Sequence, residues 1–229
     1  MSWFASYVRS SVGAKQLMAI TGLALLGFAF FHMIGHWGMF AGQNSYNAYA
    51  DFLQNLGGLK WLARGGLLAI FIAHVATGIQ LAMANRAARP TPYAMYKPTA
   101  STPSSRSMRL TGLAILAFVI YHLVHFTFGQ LQPEYFHLRD ELGRYDAYTM
   151  FVRGFQNPAI FGSYLVAVGL FSTHLAHGAS SWLQTLGLRH PKYDGLFRKL
   201  GPTLSAVLLL GYMAPPLAIL LGVIKLPGA

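Results

Sequence analysis

The stretch MAITGLALLGFAFFHMIGHWGMF, residues 18–40, is almost entirely apolar, yet it contains His32 and His36. Its length matches the approximately 20 apolar residues that a helix needs to cross about 30 Å of hydrocarbon. The stretch therefore predicts a transmembrane helix. An imidazole is costly inside a membrane and marks a functional site by default, so the two histidines require an explanation.

Composition extends this interpretation to the whole chain. Of 229 residues, 54% are hydrophobic and 10% are charged, against roughly 25% charged residues in a soluble domain. The sequence predicts an all-α integral membrane protein. The five predicted transmembrane helices cover residues 16–40, 62–84, 109–131, 159–183 and 202–224.

The formal net charge of +11 does not predict a nucleic-acid binder, because the cations lie in the connections between spans. Counted over the connections, one side of the membrane has more Lys and Arg, which predicts a cytoplasmic N-terminus and an outer C-terminus. We expect contact with membrane lipid and none with nucleic acid. The cations of the predicted cytoplasmic side are Arg9, Lys15, Arg86, Arg89, Lys97, Arg106, Arg109, Arg189, Lys192, Arg198 and Lys199.

The connections differ in character. Residues 85–108 are rich in Pro, Ser and Arg, which indicates an irregular cytoplasmic segment and a candidate docking surface. Residues 44–57 have helical apolar spacing before a glycine pair, which predicts a short helix. Residues 133–155 are expected to lie along the membrane surface. We expect a kink at Pro215–Pro216 and no long internal repeat.

Seven of the nine histidines fall in the first four predicted spans, and the fifth span has none. At about 1.5 Å rise per residue, His32 and His122 lie toward the outer end, whereas His74 and His177 lie toward the inner end. The depths therefore predict two histidine pairs at two levels. The seven are His32, His36, His74, His122, His125, His174 and His177.

Paired histidines in a four-helix core suit six-coordinate haem b. The absence of cysteine excludes covalently attached c-type haem and Cys-ligated iron–sulfur clusters. A structural zinc site is an alternative, but its four ligands would converge at one level. A proton or metal transporter is another, although the predicted spans contain no carboxylate to line a water path.

Several motifs, taken in order, resemble the cytochrome b membrane subunit of succinate dehydrogenase and fumarate reductase, in its single-chain di-haem form. The likeness runs from about residue 13 to residue 200. The motifs are KQLMAITGLALLGFAFFHMIGH, NAYADFL, HVATGIQLAMANRAAR, YHLVHFTFG and HLAHGASSWLQTLGLRHPKY.

The resemblance implies a membrane-anchor and electron-transfer subunit of succinate:menaquinone oxidoreductase in a bacterial cytoplasmic membrane. It implies two b haems, with His32 and His122 as axial ligands of the distal haem and His74 and His177 as those of the proximal haem. A flavoprotein and an iron–sulfur subunit would dock on the cytoplasmic side and carry the succinate chemistry. A quinol:fumarate reductase subunit and a stand-alone di-haem cytochrome b are alternatives.

Further contacts are expected around these groups. Possible propionate contacts at the inner haem are Lys15, Arg109, Arg189, Ser107 and Ser181, although positive-inside topology alone also explains the cations. Candidate quinone contacts are His36, Asp51 and Gln54. We expect His125 and His174 to contact haem or quinone, or to pack against neighbouring helices.

The predicted orientation can be tested by single-cysteine labelling, because the chain has no native cysteine. A membrane-impermeant maleimide added to intact cells should label Glu141→Cys and not Ser101→Cys, whereas both should react after permeabilisation. Labelling of Ser101→Cys in intact cells would contradict the predicted orientation.

Overall fold

The computed structural model describes residues 2–89, 91, 95, 97, 99 and 101–228. These residues form short π and 3₁₀ turns, an isolated bridge between Arg139 and Tyr145, and nine α-helices. The helices are α1 Trp3–Arg9, α2 Ser11–Trp37, α3 Gln43–Gln54, α4 Gly58–Ala87, α5 Pro103–His122, α6 Pro133–Phe136, α7 Ala147–Phe155, α8 Pro158–Thr185 and α9 Asp194–Leu220. The described part of the chain has no β-strand, so the all-α prediction is confirmed.

Five helices are long and apolar enough to cross a membrane: α2, α4, α5, α8 and α9. Each predicted span overlaps one of them, although the third prediction, 109–131, starts and ends later than α5, and the helix predicted within residues 44–57 is α3. The fifth prediction, 202–224, is displaced, because α9 begins at Asp194 and ends at Leu220. Gly222 then adopts a positive φ of 69°, a conformation that favours glycine and ends the helix.

Side-chain caps fix where three of these helices begin. Ser10 accepts a hydrogen bond from the backbone N–H of Gly13, and Thr102 accepts one from Ser105. The side chain of Asn157 caps α8 in the same way. Each oxygen satisfies an N–H group that has no partner within the helix, and proline follows at the first position of α5 and α8, where it costs no hydrogen bond.

The four histidine-bearing helices pack in a ring in the order α2, α4, α5, α8, and α8 returns to α2. In the described residues the two diagonal pairs, α2 with α5 and α4 with α8, are not closely packed. Helix α9 lies outside this ring and packs against α8 and α2. The centre of the ring is therefore bordered by all four helices that contain histidine.

Small residues bring α9 close to its neighbours. Gly201 lies so near α8 that a Cβ atom there would overlap the carbonyl oxygen of Ala176 and the hydroxyl of Ser180. One turn further on, the hydroxyls of Ser172 and Ser205 are 2.5 Å apart and each also bonds the other's backbone carbonyl. Such contacts are typical of helices that associate within lipid.

One end of the ring carries α3 and α7 and is called the outer end, after the predicted topology. Asn47 of α3, which is fully buried, donates to Asp146 and Asp140, and its amide oxygen accepts the N–H of Tyr148. Met39, Phe151 and other apolar side chains form a core beneath this polar contact. The opposite end, which carries the 85–108 connection, is called the inner end.

The close approach at Gly201 predicts that a larger residue at this position destabilises the folded state. Gly201→Ala should lower the free energy of unfolding by about 1–3 kcal/mol, the usual cost of overpacking, because the new Cβ would meet a backbone oxygen. Gly162→Ala in α8, where a Cβ meets nothing within 4 Å, is the control and should be neutral or stabilising. Thermal unfolding in detergent measures both, and equal midpoints would contradict the packing.

Acid should loosen the outer end. Burial raises the pKa of Asp146, but hydrogen bonds from Asn47 and Thr149 lower it more, so the pKa lies below the usual value of 3.8. A carboxyl group whose pKa is lowered by folding stabilises the folded state at pH values above its unfolded-state pKa. This stabilisation is lost as the pH falls through the folded-state pKa. Hydrogen-exchange protection of the Tyr148 amide should fall below pH 3.8, and Asp146→Asn should remove this pH dependence.

Candidate functional site

The outer pair of histidines lies across the ring. His32 on α2 and His122 on α5 have ring centroids 6.0 Å apart, and the ring planes are nearly perpendicular, at 84°. Two imidazoles that bond one metal atom at about 2 Å each have ring centres on the order of 6 Å apart. The diagonal helices thus bring together the two residues that both depth and resemblance had paired.

Tyr164 of α8 connects His122 to a buried chain of polar groups. Its hydroxyl is 3.3 Å from Nδ1 of His122 and 3.1 Å from Nδ1 of His125, and Nε2 of His125 is 3.1 Å from the amide oxygen of Gln132. An amide oxygen can only accept, so Nε2 of His125 donates and its Nδ1 accepts from Tyr164. The tyrosine oxygen then accepts from His122, whose Nε2 remains unprotonated.

A local change in helix geometry places His125 in this chain. Residues Leu123–Thr127 form a π-helical turn at the end of α5, a feature common at functional sites. His125 lies within this turn, only 2% exposed, and stacks on Phe126 with ring centroids 3.9 Å apart. The expectation that His125 contacts neighbouring groups is therefore met by packing and by hydrogen bonds.

His36 extends the outer pair toward the outer end. Its Nε2 is 3.3 Å from Nε2 of His32, and its Nδ1 is 2.9 Å from the hydroxyl of Tyr46 in α3. Burial, followed by the nearby Tyr49 and Tyr145, raises the pKa of Tyr46 well above its usual value. Tyr46 therefore stays neutral and can donate to or accept from His36.

The inner histidines are held by threonines on neighbouring helices. Nδ1 of His74 on α4 is 3.1 Å from Oγ1 of Thr21 on α2, and Nδ1 of His174 on α8 is 3.2 Å from Oγ1 of Thr111 on α5. Each threonine hydroxyl donates to a carbonyl of its own helix, at Leu17 and Ser107 respectively.

This arrangement sets the protonation of both inner imidazoles. Because each threonine proton is used within its own helix, each threonine oxygen accepts from an imidazole Nδ1–H. Fixing Nδ1–H in this way leaves Nε2 as the free ligand atom, the usual pattern around metal-bound histidine.

Glycines make room for the same two imidazoles. A Cβ atom at Gly22 would lie 3.2 Å from Cε1 of His74, and one at Gly112 would lie 3.4 Å from Cε1 of His174. Each glycine directly follows the threonine that binds the imidazole. The Thr-Gly pair is thus one structural unit that occurs twice.

The repetition is visible in the sequence, so the expectation of no long repeat is wrong. Residues 20–32, ITGLALLGFAFFH, and residues 110–122, LTGLAILAFVIYH, have Thr, Gly, Leu, Ala, Phe and His at matching positions. In the following helices, AHVATG at residues 73–78 matches THLAHG at residues 173–178. In the repeat, His32 corresponds to His122 and His74 corresponds to His174. The position that corresponds to His177 is occupied by Thr77.

The structure therefore supports a different partner for His74. His74 and His174 each bind a threonine of the neighbouring helix, whereas His177 lines a cavity together with Arg189 and Arg198. His174 and His177 are one turn apart on α8, and only the first has the threonine contact. The His74–His177 pairing remains a prediction without a contact to support it, and His74–His174 is the pair that the geometry favours.

The predicted propionate contacts are only partly brought together. Lys15 and Arg109 are exposed, and Arg189 binds Asp194 and Gln184. Ser107 and Ser181 donate to carbonyls of their own helices, at Ser104 and Gly178. All five lie toward the inner end, as expected, but no shared pocket among the described residues holds them together.

The three predicted quinone contacts do not converge on one pocket in the described structure. His36 faces Tyr46 and Phe151. Asp51 accepts from Asn55, and Gln54 accepts from Lys60 on the exposed surface of α3.

Comparison with known proteins assigns the chain to no family. No family model, no curated protein and no solved structure matches the chain. Among the described residues there is also no group of three or more His, Cys, Asp or Glu side chains that could hold a metal ion. The opposed pair His32 and His122 and the threonine-held His74 and His174 are the features with defined chemistry.

Proposed function

We propose that the protein is a di-haem cytochrome b that serves as the membrane-anchor and electron-transfer subunit of a succinate:quinone oxidoreductase. The observation that carries this proposal is the opposed pair His32 and His122 on diagonal helices, together with two threonine-held histidines at the other level of the same four-helix ring. His32 and His122 form the outer pair, and His74 and His174 form the inner pair. The proposal thus replaces His177 by His174 as an inner ligand.

The residues fit the group. Three of the four imidazoles have Nδ1 bound to a hydroxyl, which directs Nε2 away from its own helix partner and toward the ring centre as the donor atom. A b-type haem with two axial histidines supplies one-electron transfer with both axial positions filled. The two threonines and Tyr164 hold these three imidazoles in one tautomer and orientation.

The proposed electron path crosses the membrane between the inner pair and the outer pair. The inner pair lies near the basic inner connections, where a soluble partner would dock, and the outer pair lies beneath α3 and α7. Support for an iron–sulfur and flavoprotein partner comes from the sequence resemblance and from the basic 85–108 connection. Support for a cytoplasmic N-terminus in a bacterial inner membrane comes from the charge distribution and the same resemblance.

Haem counting tests the ligand assignment. His174→Ala should leave about one haem per chain, because an axial ligand of one pair is lost while the other pair is intact. His177→Ala, one turn away on the same helix, is the matched control and should retain both haems. Pyridine haemochrome assay of purified protein measures the ratio.

Two results of that assay would contradict the proposal at different points. Loss of haem in His177→Ala with retention in His174→Ala would return the ligand role to His177 and leave the di-haem proposal standing. Wild-type protein that contains no haem would overturn the proposed function itself.

Tyr164 should influence the outer haem alone. A hydrogen bond accepted from Nδ1–H makes an imidazole more basic and thereby stabilises the oxidised metal. Tyr164→Phe should therefore raise the reduction potential of the outer haem by roughly 40 mV, the one-electron equivalent of a hydrogen bond worth about 1 kcal/mol. Thr111→Val is the control and should raise only the reduction potential of the inner haem. Redox titration measures both potentials. A shift of the same haem in both variants would contradict the assignment.

A further inference from the structure

A small cavity lies at the inner end, apart from both histidine pairs. Its volume is about 200 Å³, and it is enclosed by the start of α5, the inner half of α8 and the start of α9. Phe197 and Pro202 form an apolar part of its wall. The polar residues that line it are Thr102, Ser104, His177, Ser180, Arg189 and Arg198. We call it the inner basic cavity.

The fold itself creates this cavity. Gly201 presses α9 against Ala176 and Ser180 of α8, and the cavity lies beside this contact, since Ala176 and Ser180 also line it. His177 is one turn from His174 but is not held by a threonine, and the repeat has Thr77 at its position. A histidine that the haem pairs do not use therefore faces a polar cavity.

The cavity has an excess of positive charge. Arg189 and Arg198 both bind Asp194, each through Nε at 2.7 Å. Asp194 is the only acidic residue between positions 147 and 229 of the sequence, whereas Lys192 and Lys199 add further positive charge nearby. One carboxylate shared by two guanidinium groups leaves a site that attracts an additional anion.

The volume and the positive charge of the inner basic cavity indicate which class of ligand it binds. A cavity of about 200 Å³ excludes a protein segment or a nucleic acid. Guanidinium groups form paired hydrogen bonds with phosphate oxygens. Phe197 and Pro202 add apolar surface to the lining of the cavity, and Leu188 and Leu196, next in sequence to Arg189 and Phe197, are 57% and 65% exposed. Basic sites between transmembrane helices on the cytoplasmic side are typical of anionic lipid recognition.

We propose that the inner basic cavity binds the phosphate group of an anionic phospholipid. Arg189 and Arg198 contact the phosphate, the hydroxyl of Ser180 and the imidazole of His177 contribute hydrogen bonds, and the acyl chains remain in the bilayer beside α9. The bound lipid tethers the start of α9 to α8 and α5. The role of His177 and the choice of leaflet rest on the proposed function, through the assignment of His174 as the inner ligand and through the orientation of the chain.

Native mass spectrometry of the full chain in detergent tests the proposal. Dioctanoyl phosphatidylglycerol and dioctanoyl phosphatidylcholine are added separately, and we expect the former to bind about tenfold more tightly, because only its headgroup carries a net negative charge. Arg198→Gln should weaken phosphatidylglycerol binding by about tenfold or more, as expected for a charge-assisted hydrogen bond. Arg153→Gln removes the same charge at the outer end and is the matched control.

A milder variant guards against loss of structure in Arg198→Gln. Ser180→Ala removes one hydroxyl, whose present hydrogen bond is to Ala176 of its own helix, and should also weaken binding while the thermal midpoint stays unchanged. Equal binding of the two lipids, or equal binding by Arg198→Gln and Arg153→Gln, would overturn the proposal.

Two competition experiments separate the lipid from other small ligands. Inorganic phosphate or a short-chain quinone is added with phosphatidylglycerol at equal concentration. We expect neither to displace the lipid. Displacement by phosphate would instead identify a free-anion site, and displacement by the quinone would identify a quinone site. Haem content is measured in every sample, so loss of lipid with both haems retained separates this result from failure of the proposed function.

Discussion

The structure depends on the constraint that an imidazole placed in hydrocarbon needs a hydrogen-bond partner. Each inner histidine meets this need by bonding a threonine on the adjacent helix, and His122 meets it through Tyr164. These bonds connect α2 to α4 and α5 to α8, the two helix pairs of the repeat. The same bonds fix which nitrogen remains available at the centre of the ring, so helix packing and the proposed ligand chemistry have a common origin.

The repeat gives the ring an approximate two-fold symmetry with its axis along the bundle. Under that symmetry α2 corresponds to α5 and α4 to α8, and His32 faces its counterpart His122 across the centre. A ligand that is bound by two equivalent residues from opposite sides fits such an axis. Helix α9 has no counterpart in the repeat. Its packing on one side of the ring breaks the symmetry and creates the inner basic cavity beside α8.

The two ends of the ring are built differently. At the inner end each imidazole has a threonine whose proton stays within its own helix. At the outer end the connection runs from His122 through Tyr164 and His125 to Gln132, and His36 continues from His32 to Tyr46. The outer pair is therefore surrounded by groups that can exchange protons, whereas the inner pair is held by fixed donors and acceptors. With haem bound at both levels as proposed, this difference would give the two haems unequal reduction potentials.

Much of the fold could be predicted because the length of an apolar run determines whether it crosses a membrane. The displacement of α9 arose because Arg198 and Lys199 lie within its first turns, where long cationic side chains can reach the membrane surface. The sequence prediction named His177 where we now propose His174, because an estimate of depth cannot distinguish residues one turn apart. The direction that each side chain faces around α8 decides between them, and the matching Thr-Gly pairs at residues 21–22 and 111–112 were the signal in the sequence. The π-helical turn around His125 has no such signal, since it depends on how α5 packs at its end.

The most direct test of the central claim is low-temperature electron paramagnetic resonance, combined with near-infrared magnetic circular dichroism, on the oxidised, detergent-purified wild-type protein. These spectra identify the spin state and the axial ligands of each haem. The account predicts two low-spin haems per chain, both with two imidazole ligands. A protein without haem, or one whose haem is high-spin with a single histidine ligand, would contradict it.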